Sequence, residues 1–177
     1  VYHGPKKLKQ IAQTVHFYTS ILSDSLEELG YNQINKSFFD TLLINTGKTS
    51  IENIKVYAED SKINFNYISE NSLSISIDEK DDLKNIQDIL NVFIRAKNLP
   101  NEKEVLNRVL KTKIKNQKSY IQKTIIRKSN FLDYEVFNTY HSETELMRYI
   151  KSLENKDLSL THSMIPLGSC TMKLNAA

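Results

Sequence analysis

The sequence predicts an α+β fold: a small sheet covered on one face by helices, then a linker and a helix leading to an irregular C-terminal loop. Three observations carry that prediction. Apolar residues recur at steps of three and four over residues 5–29. They alternate with polar ones over residues 63–67 and again over 72–77. Near the C-terminus Pro166 and Gly168 then break every periodicity.

Length and composition bound the function classes. With 177 residues, 40% of them hydrophobic, the chain can bury a modest core and is not of disordered composition. A formal net charge of +3 does not mark the whole chain as a binder of nucleic acid or anionic membrane. The single cysteine, Cys170, excludes an intrachain disulfide framework and a multi-cysteine metal site, so no metal is expected. No apolar run reaches the roughly 18 residues of a membrane span. The N-terminus also lacks the apolar core of a secretory signal, and no membrane partner is expected. The chain opens on Val1 and closes on Ala177 inside a polar motif, which reads as an internal fragment.

The first element is a long helix. Leu8, Ile11, Val15, Tyr18, Leu22, Leu26 and Leu29 form its stripe, with Pro5 in the first turn and Gly30 just past the end. His16 lies beside that stripe without a second ligand at helical spacing, and is expected to be a partly buried structural histidine. Phe38 to Asn45 reads as a mostly buried strand. Thr49 and Glu52 have the spacing of a capping box, so a helix should start near Ser50 and run to about Ser61. Ile63, Phe65 and Tyr67, then Leu73, Ile75 and Ile77, predict a hairpin turning at residues 69–71. Asp81 is placed to cap a further helix carrying Leu83, Ile86, Leu90, Phe93 and Ile94. Residues 1–97 thus read as a small α+β domain, which Ile75→Asp should unfold by burying an unpaired carboxylate.

Residues 98–130 read as a basic linker. Ten Lys and Arg over residues 97–128 face only Glu102 and Glu104, a net charge of +8 (10 − 2) that leaves −5 (3 − 8) for the rest. Leu106, Val109, Leu110 and Ile114 space a short helix within it. Such a segment can hold an acidic or nucleic-acid partner by charge. A solvated connection is the plainer reading, because no set of interleaved aromatics accompanies the charge.

Residues 131–177 read as a helix plus a loop. Ser142 and Glu145 repeat the capping-box spacing, and Leu146, Tyr149, Ile150 and Leu153 mark the buried side of a helix ending near Asn155. Beyond it His162, Ser163, Ser169, Thr171, Lys173 and Asn175 crowd around Gly168, with Cys170 among them. Their side chains and the backbone N–H groups near Gly168 can form a concavity for a carboxylate or phosphate, with Lys173 as a point charge. A Gly/Pro turn with a solvated polar surface is the other reading of the same residues. His162 stands either as donor or proton carrier, or as a packing hydrogen-bond partner. Cys170 has no assignable base beside it, which favours a structural or redox-sensitive thiol over a nucleophile.

Ser163-Met-Ile-Pro-Leu-Gly-Ser-Cys-Thr-Met-Lys-Leu-Asn175 resembles the signature of the glycine decarboxylase P-protein family, the pyridoxal-phosphate subunit of the glycine cleavage system. Residues 136–157, Val1 to Leu8 and Phe38 to Thr41 are similar to the same family. The resemblance implies that residues 1–97 are the small domain of a fold-type-I pyridoxal-phosphate enzyme. It implies equally that residues 131–177 open the second half of the parent enzyme.

The parent would release the glycine carboxylate as CO2 and pass the aminomethyl group to the lipoyl arm of the H-protein. His162, Ser163, Ser169, Cys170, Thr171, Lys173 and Asn175 would line its substrate and cofactor. Within that loop the resemblance gives Ser169 and Thr171 hydrogen bonds to ligand, and Lys173 and Asn175 an electrostatic and polar supporting role. The family's Schiff-base lysine lies in a downstream His-Lys-Thr motif that this chain lacks, so no catalytic residue is expected within it. Implied partners are glycine, the lipoylated H-protein and a second P-protein subunit or half, in the cytoplasm of a bacterium or the mitochondrial matrix of a eukaryote. Alone, the fragment is expected to be inactive, with residues 161–177 exchanging amides within seconds. The rival reading is a small α+β interaction module whose basic linker binds an acidic or nucleic-acid partner.

Overall fold

The computed structural model describes residues 1–115 and 119–157. They form two compact units: a larger one from Lys9 to Lys128, and a smaller one from Val1–Leu8 together with the described residues from Ser129 onward.

Helix α1 (Gly4–Glu28) supplies the centre of the larger unit. From Val15 to Leu26 every residue except Phe17 and Tyr18 is buried, so this helix is covered nearly all round. Two of its buried hydroxyls are satisfied inside the helix: Thr19 and Ser20 donate to the Val15 and His16 carbonyls at 2.9 and 2.7 Å. At the end, the Tyr31 N–H reaches the Leu26 carbonyl (2.9 Å) and the Gly30 N–H reaches Glu27 (2.8 Å), the reciprocal pair of a Schellman cap. Gly30 takes φ +77° there, and a Cβ would stand 3.0 Å from the Lys97 ammonium. That ammonium donates to the Leu29 carbonyl and lies 4.4 Å from the centre of the Tyr31 ring. The same cap recurs after the next two helices with Lys62 (φ 58°) and Asn98 (φ 53°) in the left-handed position.

The sheet has four antiparallel strands in the order β1-β2-β4-β3: β1 (Asn32–Gln33), β2 (Thr41–Asn45), β3 (Asn66–Ser69) and β4 (Ser72–Ser76). Opposed pairs Leu42↔Ile75 and Ile44↔Leu73 bury one face, while Thr41↔Ser76 and Asn45↔Ser72 occupy the other. The helices α2 (Ile51–Asp60) and α3 (Leu83–Ala96) place Ile54, Ala58, Ile86, Leu90 and Phe93 in the same core. Burying each such large side chain contributes about 1.5–3 kcal/mol. The α+β class, with one helix-covered sheet face, is therefore what folds.

Several boundaries differ from the expected ones, each for a local reason. The strand expected from Phe38 starts at Thr41, because the Phe39 carbonyl accepts from the His16 ring at 2.9 Å and is lost to the ladder. The cap of α2 is Ser50, whose hydroxyl accepts the Glu52 N–H at 3.2 Å, whereas the Thr49 N–H goes to the Thr46 carbonyl. Asp82, not Asp81, caps α3: it exchanges 3.0 Å bonds with Asn85, while the Asp81 carboxylate accepts from the Asp78 N–H. The hairpin turn is tighter than expected, since Ser69 pairs with Ser72, and an irregularity between Tyr67 and Ser69 leaves Ile68 exposed.

The helix expected within the basic segment forms as α4 (Glu102–Lys115). It is part of the packed unit, with Val109 and Leu110 buried in the common core. Lys113 and Arg108 approach Glu28 at 3.2 and 3.8 Å, and Glu102 with Glu104 complements the positive end of the helix.

In the smaller unit, α5 (Val136–Thr139) precedes α6 (Glu143–Glu154). The expected capping box is present: the Glu145 N–H donates to the Ser142 hydroxyl at 3.3 Å, and the Ser142 N–H donates to the Glu145 carboxylate at 3.1 Å. The expected burial is not. No residue of α6 is buried: Tyr149 of the stripe stacks on Tyr140, while Ile150 and Leu153 are 50% and 43% exposed.

Candidate functional site

Two polar constellations stand out in the described residues, and both lie in the larger unit. The first is built on His16. Its Nδ1–H donates to the Phe39 carbonyl, which leaves Nε2 as acceptor for the Tyr120 N–H at 3.2 Å and fixes the neutral tautomer. Tyr120 then stacks on Phe38, ring centres 4.7 Å apart, and its hydroxyl donates to the buried Asp24 carboxylate. Burial first, and the Asp24 carboxylate second, push the Tyr120 hydroxyl well above its ordinary value, so it stays protonated and keeps donating. Every polar atom of the imidazole is spent on backbone or serine neighbours. His16 is the structural histidine expected from its place beside the stripe, here tying residues 119–120 to α1.

The second is a cleft of about 480 Å³ whose polar lining includes Asn64, Asn66, Asp81, Asn85 and Asp88. Its side chains largely serve the fold: Asn66 donates to the Ser74 hydroxyl, Asp81 accepts from the Asp78 N–H, and Asn85 completes the cap of α3. No nucleophile and base stand within reach of each other there. Sequence reading missed this cleft, and the only signal for it was the polar alternation of Asn64 and Asn66 with Phe65. Among the described residues, no group of three His, Cys, Asp or Glu could hold a metal ion, and no helix is long and apolar enough to cross a membrane.

In the smaller unit the joint between the N-terminal segment and α6 is closely built. The His141 Nδ1–H donates to the Tyr2 carbonyl at 2.8 Å. Gly4, at φ +62°, sits where a Cβ would come within 2.8 Å of both the Phe137 carbonyl oxygen and the His141 ring. Only glycine meets both demands. The Glu145 carboxylate is held below its usual range by the Ser142 hydroxyl and N–H, which fastens the first turn of α6. After α6 the Asn155, Lys156 and Asp157 N–H groups donate to the Lys151, Leu153 and Glu154 carbonyls. The seven residues assigned to a binding loop, His162, Ser163, Ser169, Cys170, Thr171, Lys173 and Asn175, lie outside the described residues.

Comparison with known proteins bears on the whole chain. Residues 1–93 match the family model for the glycine cleavage system P-protein. The chain is 47% identical over 176 residues to a Nostoc protein named glycine dehydrogenase (decarboxylating), covering 99% of this chain and 18% of the relative. Relatives of the same name from Christiangramia forsetii and Flavobacterium johnsoniae are 48% and 45% identical over 177 residues, again covering the full chain and 18% of each relative. The chain therefore spans about 18% of the length of the curated relatives it matches. A family match over more than half the chain, joined to this identity along nearly all of it, shows that the chain belongs to the glycine cleavage system P-protein family.

Proposed function

We propose that this chain is part of a longer polypeptide that decarboxylates glycine and passes the remaining aminomethyl group to the lipoyl arm of the H-protein. One observation carries the proposal. Identity of 48% to a glycine dehydrogenase (decarboxylating) extends over all 177 residues, so it includes the polar segment beyond Thr161 as well as the folded sheet domain.

In this reading residues 1–97, extended by α4 of the basic segment 98–130, form the small domain, and residues 131–177 deliver the signature to the reacting centre. Pyridoxal phosphate, when bound, supplies the sink for the electron pair left behind as CO2 departs. Ser169 and Thr171 are assigned to hydrogen-bond the substrate carboxylate or the cofactor. Lys173 balances anionic charge there, Asn175 gives polar support, His162 serves either as donor or proton carrier or as a packing hydrogen-bond partner, and Cys170 is a structural or redox-sensitive thiol, with Ser163 beside them in the loop. The lysine that would carry the cofactor belongs to sequence downstream. The bacterial relatives favour a cytoplasmic location, with a second P-protein subunit or half as partner.

The test is glycine-dependent exchange of labelled bicarbonate with the H-protein present. The 177-residue chain alone should show neither exchange nor cofactor absorbance. The full-length protein should show both, and Thr171→Ala should raise its KM for glycine. A full-length protein that binds pyridoxal phosphate yet exchanges no CO2 with glycine would contradict the proposal.

A further inference from the structure

The cleft of about 480 Å³ in the larger unit opens where the sheet parts. β3 and β4 pair through Ser69↔Ser72 and Tyr67↔Leu73, and their ladder stops at Asn66↔Ser74. Ile75 and Ser76 run on against β2 alone, opposite Leu42 and Thr41. Successive residues of an antiparallel strand turn their main-chain groups to opposite sides. The Ile77 N–H reaches the Asp40 carbonyl on the β2 side, so the Ser76 carbonyl faces the other side, where no strand stands opposite.

The lining joins a buried apolar part to an acidic one. Phe65, Ile75 and Ile89 line the cleft and are 6%, 4% and 7% exposed. Asn85, Asp88 and Ile89 are spaced to share one face of α3, which puts a carboxylate beside that apolar surface. Asp88 is exposed and stands outside every ion pair of the described residues. Asp81 gives one carboxylate oxygen to the Asp78 N–H, and Lys62 is the one cation of the lining, for a net charge of −1 (1 − 2). Among the described residues no third carboxylate, histidine or cysteine joins the two aspartates to hold a metal ion.

We propose that this cleft binds a primary ammonium carried on an aliphatic stem, the group shared by a small free amine and by the lysine side chain of another protein. The stem lies along Phe65, Ile75 and Ile89, as lysine stems do on apolar surface. The ammonium donates to the Asp88 carboxylate and to the Ser76 carbonyl that lacks a strand partner. The volume suits such a ligand, since small-molecule sites span about 300–1,000 Å³. The readout is binding and not glycine chemistry, so this proposal and the function proposed above can fail separately.

The experiment titrates the 177-residue chain with n-pentylamine and with Nα-acetyl-lysine methylamide, following backbone amide resonances. Phe65, Ser76 and Asn85 should shift saturably with both, and n-pentanol and tetramethylammonium should leave them in place. Asp88→Asn should weaken binding by about tenfold, whereas Asp88→Glu, which keeps the charge, should retain it. Either order of affinity supports the proposal: the lysine derivative binding more tightly assigns the cleft to a partner's side chain, and the amine binding more tightly to a free amine. Shifts that do not saturate, that n-pentanol or tetramethylammonium reproduces, or that survive Asp88→Asn would overturn it. In the full-length protein the lysine derivative should raise the melting temperature more than it does in Asp88→Asn. Equal rises there would mean that the rest of the polypeptide covers the cleft, and would overturn the proposal as well.

Discussion

Helices α3 and α6 begin alike and end up in opposite circumstances. Each has a complete capping box, Asp82 with Asn85 and Ser142 with Glu145, and each carries an apolar stripe. Seven residues of α3 are buried in the common core, beside α2 and α4, whereas α6 buries none. A cap is settled within four residues of sequence, but burial needs a partner surface. The larger unit contains its own, and the described part of the smaller one does not. Whatever completes α6 is therefore not encoded in α6.

Breaking the two stripes should show the contrast at its largest. Phe93→Ala removes a fully buried ring that packs against Tyr31 and Phe65, and should cost about 3–5 kcal/mol in urea unfolding. The matching Ile150→Ala should stay within about 0.5 kcal/mol in the same chain. Equal losses would mean that α6 is packed after all.

A smaller effect is expected where the larger unit fastens its basic segment. Tyr120→Phe keeps the stack on Phe38 but leaves the buried Asp24 carboxylate without that donor, at a cost of about 1–3 kcal/mol. The loss should be visible as a lower urea midpoint with an unchanged slope. A neutral Tyr120→Phe would show that water replaces the hydroxyl at Asp24.

Two of the three left-handed glycines among the described residues, Gly47 and Gly4, sharpen the comparison by separating strain from crowding. Gly47, at φ +60°, has nothing near its missing Cβ, so Gly47→Ala should cost only the backbone penalty of about 1–2 kcal/mol. Gly4→Ala adds a collision with the Phe137 carbonyl and should also part His141 from Tyr2. The His141 ring nitrogen resonances should move in Gly4→Ala and stay put in Gly47→Ala.

The smallest effect is that of pH on α6. The Glu145 value is depressed in the folded state, so its contribution is present above the usual carboxylate range and lost as pH falls through the folded value. Helicity of residues 143–154 should decline on acidification below that range and decline less in Ser142→Ala, which has already lost the hydroxyl that fastens Glu145.

What sequence could and could not show follows the same line. α1, α2, α3, the hairpin and the class of the fold were legible because period and turn chemistry are local. Cap positions slipped by one residue at Ser50 and Asp82, where two neighbouring side chains compete for one N–H and only the folded backbone decides. The Asp24–Tyr120 bond was out of reach, since it joins residues 96 apart through a ring stack that no spacing encodes. Exposure of α6 was out of reach for a different reason, because a stripe looks the same whether its partner is present or absent. Membership of the family was legible by resemblance in the segment from Ser163 to Asn175, and the comparisons show that membership for the chain.

Amide exchange across the 177-residue chain alone measures most directly whether the two regions differ as described. Amides of Leu90 to Ile94 should exchange only through global unfolding, while those of Met147 to Leu153 should exchange through local opening, orders of magnitude sooner. Equal protection at the two helices, with one shared dependence on denaturant, would contradict the account.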